Sequence, residues 1–145
     1  MVRSRDDTVL AECDIVIDVG GEYNAAKKRL DHHQRGFFEV FGAGKTIKLS
    51  SAGLVYKHYG QDVLKKILGD SVSDEAELRL IYEHVYDEFI EGIDGVDNGV
   101  PAYKSSVADA VIVPAYKVQT DISARVGRLN KVCPSFLRQC YRHHV

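Results

Sequence analysis

At 145 residues, 45% hydrophobic and 28% charged, the chain has the composition of one ordinary globular domain, which argues against a disordered or fibrous protein. Nineteen basic residues against twenty-one acidic leave a formal charge of −2, so no global basic field is available to hold nucleic acid, and any such contact has to be local. Cys13, Cys133 and Cys140 are widely spaced with no CxxC, against a disulfide framework or a thiolate zinc site and in favour of a reducing, intracellular compartment.

In chain order, "MVRSRDDTVL" lacks the apolar stretch of a signal peptide, and its acidic residues argue against a transit peptide. Asp6 and Asp7 read as a polar turn leading into a helix or loop before Asp14. "CDIVIDVGG" (13–21) is a β-branched run closed by Gly20 and Gly21. Apolar residues on both faces of Ile15-Val16-Ile17 predict a buried, parallel strand. Asp18 falls near its C-terminal end, where ligands of open α/β sheets gather. "KKRLDHHQ" follows a turn and reads as a second short strand or a loop. After the Gly-containing loop "FGAGKTIK", Ser50 or Ser51 is a natural N-cap for the helix "SAGLVYKHYGQDVLKKIL", which Gly60 is expected to bend or divide.

A second helix is predicted from about Asp74, with Leu78, Ile81, Val85, Phe89, Ile93 and Val96 on one face. Asp94 and Asp97 are neighbours near its end, before "NGVP" stops it. "VADAVIVPAY" is apolar enough for a strand, although Pro114 weakens the case. Thr120 or Asp121 would cap a last short helix, "ISARVGRLN". Beyond Asn130 the pattern fails, so a domain over residues 1–130 and an unassigned tail over 131–145 are expected. No apolar run nears the ~20 residues of a membrane span. The alternation of strand and helix predicts an α/β chain.

Asp18, Asp31, His32, His33, Asp94 and Asp97 are the candidates to carry chemistry. Carboxylates in a strand, or near the end of an apolar-faced helix, are costly if buried without partners, and a divalent cation supplies one. Carboxylate oxygen with imidazole nitrogen suits Mn²⁺, Mg²⁺, Fe²⁺ or Zn²⁺, and the absence of nearby thiolates favours the harder ions. Successive side chains of a strand point to opposite faces, so one imidazole is expected to ligate and the other to contact substrate or a carboxylate. Each residue also has an ordinary reading. A strand-end aspartate serves as a turn or cap residue, a histidine pair sits on a surface, and helix acids are solvated.

The order of the segments "CDIVIDVGG", "RLDHHQRGF", "KLSSAGLVYKHYG", "EGIDGVDNGV" and "ISARVGRLN" resembles the melanocyte-proliferating-gene (Myg) family. That family belongs to the phosphoesterase superfamily named for its Asp-His-His motif. The resemblance implies an α/β fold with a mainly parallel sheet flanked by helices. It also implies a binuclear site for Mn²⁺ or Mg²⁺ and metal-dependent hydrolysis of phosphodiesters. Family members are 3′-to-5′ RNA exonucleases of nucleus and mitochondrion, so RNA or a short oligonucleotide is the implied partner. By position, Asp18 would bridge two metals and His32 would ligate one. His33 would lie toward the scissile phosphate, and Asp31 would orient the pair. The acid after the helix, Asp97 in preference to Asp94, would be a further ligand. Two metals roughly 3.5–4 Å apart would stabilise both attacking and leaving oxygens. Arg35, and Lys45 or Lys48, are the candidate phosphate contacts. Ser50 and Ser51 are expected to cap a helix, although a helix N-terminus near a phosphate can do both.

Family chains begin with a strand and a "His-Cys-Asp-Glu"-like segment and continue into a second domain. Nothing in "MVRSRDDTVLAECD" has that form. The expectation is a partial domain holding one metal, with impaired hydrolysis and apolar surface left uncovered. The alternative is a non-catalytic remnant that binds metal, nucleotide or RNA.

Overall fold

The structure, a computed structural model, describes residues 2–72, 74–102 and 115–116. Most of the strand predicted over "VADAVIVPAY", the helix expected after Thr120 or Asp121, and the tail from residue 131 lie outside the described residues.

The polar turn read at Asp6 and Asp7 is the start of a short helix, α1 (Asp7–Ala11). Asp6 caps it, one carboxylate oxygen accepting from the Thr8 amide at 2.9 Å and the Thr8 hydroxyl at 2.6 Å. Three short strands follow among the described residues: β1 (Val16–Ile17), β2 (Tyr23–Asn24) and β3 (Arg29–Leu30). Their order is β1-β3-β2, with β1 parallel and β2 antiparallel to the central β3.

The chain is therefore mixed α/β, and its described sheet is mixed rather than mainly parallel. The reason is local. Between β2 and β3 the Lys28 amide donates to the Ala25 carbonyl and Lys28 takes φ +54°, a tight reversal that can only pair its flanking strands antiparallel. The "CDIVIDVGG" run is also less buried than predicted. Val16 is buried, but Ile15 and Ile17 are each 45% exposed, because β1 is the edge of the described sheet and only one of its faces meets the core.

After β3 the chain crosses a loop and returns through a bridge between Val40 and Lys48 to Leu49 and Ser50. The Ser50 hydroxyl accepts from the Ala52 and Gly53 amides and so starts α2 (Ser51–Leu68). This helix runs through Gly60 without a break, which corrects the expectation of a bend or division. Gly60 is instead a point of close approach. A Cβ there would lie 2.9 Å from Tyr56 and Tyr82 ring atoms. Those rings stack with centroids 5.0 Å apart, and their hydroxyls donate to the Tyr82 and Lys57 carbonyls, each at 3.0 Å. Gly60→Ala would gain about 1 kcal/mol of helix propensity against an overpacking penalty of about 1–3 kcal/mol. A net loss of about 1 kcal/mol is expected, read as a lower urea midpoint; a raised midpoint would show that the approach is loose.

Asp74 caps α3 (Glu75–Val85), accepting from the Ala76 amide. A π-helical turn, Tyr86–Ile90, joins it to α4 (Glu91–Asp97). The predicted single helical face ends at this turn. One extra residue in a turn rotates everything after it by about 100°. Tyr86 and Asp94 consequently face inward, while Phe89 and Val96 are 37% and 61% exposed. The core gathers Leu30, Phe37, Leu49, Leu54 and Tyr86, with Phe41 stacked on Tyr86 at a centroid distance of 3.6 Å. No described helix is long and apolar enough to cross a membrane.

Candidate metal centre

The centre is built where β1 and β3 end side by side. The Asp18 amide donates to the Leu30 carbonyl, continuing the parallel register one step beyond the strands. Asp18 then adopts φ +66°, a left-handed conformation that costs a non-glycine residue about 1–2 kcal/mol. Gly20 and Gly21, both at positive φ, complete the reversal. This strained turn leaves the Asp18 carboxylate exposed beside the residues that follow β3.

Asp31 is the first of them, and only 2% of it is exposed. One carboxylate oxygen accepts from the Gly21 amide at 2.7 Å; the other accepts from the His33 amide at 3.1 Å and from His33 Nδ1 at 2.5 Å. Burial pushes this carboxyl up, but the bonds from the His33 side chain and the Gly21 and His33 amides outweigh it and hold the group below its ordinary range. An ionised Asp31 can only accept, so His33 Nδ1 carries a proton and His33 Nε2 is left as the lone-pair nitrogen of the neutral ring.

His32 is fixed by the same logic. It is buried, and its Nδ1 stands 3.3 Å from the Leu49 carbonyl oxygen. A carbonyl cannot donate, so a neutral His32 carries its proton on Nδ1 and leaves Nε2 as the lone-pair nitrogen. Around His32 Nε2 stand His33 Nε2 at 3.2 Å, Asp97 Oδ2 at 3.3 Å and Asp18 Oδ1 at 3.8 Å. The ligand atoms of Asp18, His32 and His33 lie within 4.8 Å of one another. With both rings neutral, acceptors face acceptors here, and a positive charge among them, a proton or a cation, relieves the repulsion. A divalent cation balances the Asp18 and Asp97 carboxylates, and oxygen with imidazole nitrogen is the donor set that Mn²⁺ and its neighbours take. The residues present therefore fit one such ion.

The structure thus brings together Asp18, His32, His33 and Asp97. Both imidazoles border the same space, with ring centroids 4.2 Å apart, and His33 also contacts the Asp31 carboxylate. They lie beyond the end of β3, where the alternation of a strand no longer applies.

Asp94 does not join them. It is fully buried, one oxygen accepting from the Ser50 amide at 2.9 Å and the Ser50 hydroxyl at 2.7 Å, the other from the Tyr86 hydroxyl at 3.0 Å. Burial pushes its carboxyl up, against the opposing pull of the Ser50, Tyr86 and Gly53 bonds. Asp94 also occupies the N-terminus of α2: a Cβ on Gly53 would lie 2.3 Å from its Oδ1. The idea that this helix end is open to a phosphate is corrected for the same reason.

Among the candidate phosphate contacts, Arg35 lies exposed on the turn after His33. Lys48 Nζ sits 5.8 Å from the centre of the Phe37 ring. Lys45 is committed to Asp87 at 2.6 Å and Glu91 at 3.3 Å and holds α4 rather than a ligand. Sequence reasoning missed Tyr86, Asn98 and the Leu49 carbonyl. A π-turn leaves no mark on hydrophobic periodicity, and a backbone carbonyl leaves none on residue type.

Fold and cluster together are those of a mixed α/β chain with a carboxylate–imidazole group that could hold a metal ion. The chain belongs to the MYG1 exonuclease family: the family model, described as "Uncharacterised protein family (UPF0160)", matches residues 1–140. It is 47% identical over 133 residues to the MYG1 protein of Dictyostelium discoideum, covering 90% of this chain and 37% of that protein. It is 47% identical to the MYG1 exonuclease of Mus musculus and 44% identical to that of Homo sapiens, each over 135 residues, 90% of this chain and 34% of those proteins. The chain therefore spans about a third of the length of these relatives. No solved structure matches it.

Proposed function

We propose that this chain carries part of the catalytic centre of a divalent-metal-dependent exonuclease that removes nucleotides from the 3′ end of RNA. The observation that supports this most is the ring of acceptors around His32 Nε2, from His33, Asp97 and Asp18 at 3.2, 3.3 and 3.8 Å. Membership of a family whose mouse and human members are named exonucleases supports a nucleic-acid substrate for the centre. RNA, and a place in nucleus and mitochondrion, are the finer parts of the proposal and rest on the resemblance alone.

In this reading Asp18, His32 and Asp97 hold Mn²⁺ or Mg²⁺, which when bound supplies Lewis-acid polarisation of the phosphoryl oxygens. His33 does the proton work. Asp31 keeps its Nδ1 protonated and its ring oriented, so the exposed Nε2 is positioned to accept a proton from the attacking water. Arg35 and Lys48 contribute positive charge to the phosphate, the arginine in a forked pair of hydrogen bonds.

The described residues supply donors for one cation rather than a two-ion clamp, so hydrolysis by this stretch alone is expected to be slow. The same observation favours a second reading, a chain that binds metal and RNA without cutting.

The test follows mononucleotide release from a 3′-labelled RNA while Mn²⁺ is titrated into the 145-residue chain, with His33→Ala and a DNA of the same sequence alongside. Release from the 3′ end that depends on Mn²⁺ and on His33 is expected. RNA binding that needs Mn²⁺ without release supports the second reading. Release that ignores both Mn²⁺ and His33→Ala would remove the proposal.

A further inference from the structure

Asp94 is a buried carboxylate for which the proposed chemistry has no use, yet the chain surrounds it with donors. Ser50 gives it an amide and a hydroxyl, and Tyr86 gives it a second hydroxyl. One turn further along, the Asn98 side-chain amide donates to the Lys48 carbonyl at 2.8 Å and to the Asp94 carbonyl at 2.9 Å. The helix α4 and its C-cap therefore grip the residues on both sides of Leu49. The Leu49 amide is itself held by the Glu39 carbonyl at 2.9 Å. The Leu49 carbonyl, in the middle of this tripeptide, stands 3.3 Å from His32 Nδ1. Asp97 lies on α4 between the two gripping residues and reaches His32 Nε2 at 3.3 Å.

From this arrangement we infer that Asp94 and Asn98 are positioning residues. By clamping Lys48-Leu49-Ser50 they hold the Leu49 carbonyl against His32 Nδ1, and so reserve Nε2 for the cation. The inference rests on the metal-centre reading above and deepens it. One helical turn sets both ends of the His32 ring, the carbonyl at Nδ1 and the carboxylate at Nε2. A slip of α4 against residues 48–50 would move both. A metal-bound histidine whose other nitrogen loses its acceptor loses tautomer, orientation and basicity together. Asp94 serves as an acceptor of fixed shape and needs no contact with the ion. An asparagine can replace it: its oxygen accepts from Ser50, and its amino group donates to the Tyr86 hydroxyl, which also accepts. An alanine leaves the Ser50 and Tyr86 donors unpaired in a buried place.

Two readouts test this on the full chain, one of them without metal. Imidazole ¹⁵N shifts of the metal-free protein report the His32 tautomer, and Mn²⁺ titration reports affinity. The wild-type chain is expected to show His32 protonated on Nδ1. Asp94→Asn should keep that tautomer and hold Mn²⁺ affinity within about threefold, a change of less than ~1 kcal/mol. Asp94→Ala should mix the tautomers and weaken Mn²⁺ by roughly 10–100-fold, as loss of a ligand's orienting partner does. Asn98→Ala, at a partly buried position, decides the matter if Asp94→Ala does not fold, with an expected loss of about 10-fold and the same mixing. Unchanged tautomer and affinity in the alanine variants would overturn the inference. So would an Asp94→Asn loss as large as that of Asp97→Asn, which would make Asp94 a ligand. A wild-type chain that binds no Mn²⁺ but whose His32 tautomer responds to Asp94→Ala would defeat the metal reading and leave the positioning role standing.

Discussion

Asp97→Asn is expected to weaken Mn²⁺ binding by about 100-fold or more without unfolding the chain. Loss of an outer partner of a ligand already costs roughly 10–100-fold in affinity, and this change removes a charge that faces His32 Nε2 directly at 3.3 Å. Its side chain is half exposed, so the fold loses little when the carboxylate becomes an amide. His32→Ala should fall as far in affinity and further in stability, because it also empties a buried site and frees the Leu49 carbonyl. Calorimetric titration with Mn²⁺, beside a thermal melt of each metal-free variant, separates the two effects. An Asp97→Asn chain that binds Mn²⁺ like the wild type would remove Asp97 from the centre.

The second large effect belongs to Gly53. A Cβ there would meet Asp94 atoms at 2.3, 2.4 and 2.7 Å, and the carboxylate cannot swing aside because Ser50 and Tyr86 hold it from both sides. Gly53→Ala is therefore expected to destabilise the chain by about 3 kcal/mol, the upper part of the overpacking range, despite the better helix propensity of alanine. Gly42→Ala is the matched control, since nothing lies within 4 Å of a Cβ at that position. Urea unfolding should show a large drop in midpoint for the first and almost none for the second. Equal midpoints would mean that Asp94 does not lie on the first turn of α2.

These residues also show how far the sequence could be read. The Ser50 cap, the start of the second helix at Asp74 and the strand ending at Asp18 were all legible, because capping chemistry and β-branched runs are local signals. The grouping of Asp18, His32 and Asp97 was reached only through the order of motifs. Their meeting depends on a register between β1 and β3 that no single segment encodes. The preference for Asp97 over Asp94 came from the resemblance and not from the helical pattern. Both lie on α4, beyond the π-turn at Tyr86–Ile90, and three residues along that helix turn Asp94 inward to the base of α2 and leave Asp97 half exposed beside His32. The mixed sheet escaped prediction because β2 and β3 are two-residue strands around a tight turn, too short for a hydrophobic pattern. Gly60 reads as a helix breaker by propensity, whereas tertiary contact with Tyr56 and Tyr82 is what requires it.

In the proposed function a cation lies between His32 Nε2 and the carboxylates of Asp18 and Asp97. Diffraction at the manganese absorption edge, from crystals of the full chain grown with Mn²⁺, addresses it most directly. An anomalous peak about 2.0–2.3 Å from His32 Nε2, with carboxylate oxygens of Asp18 and Asp97 around it, is the predicted result. A fully occupied Mn²⁺ elsewhere on the chain, with no density among these side chains, would contradict it.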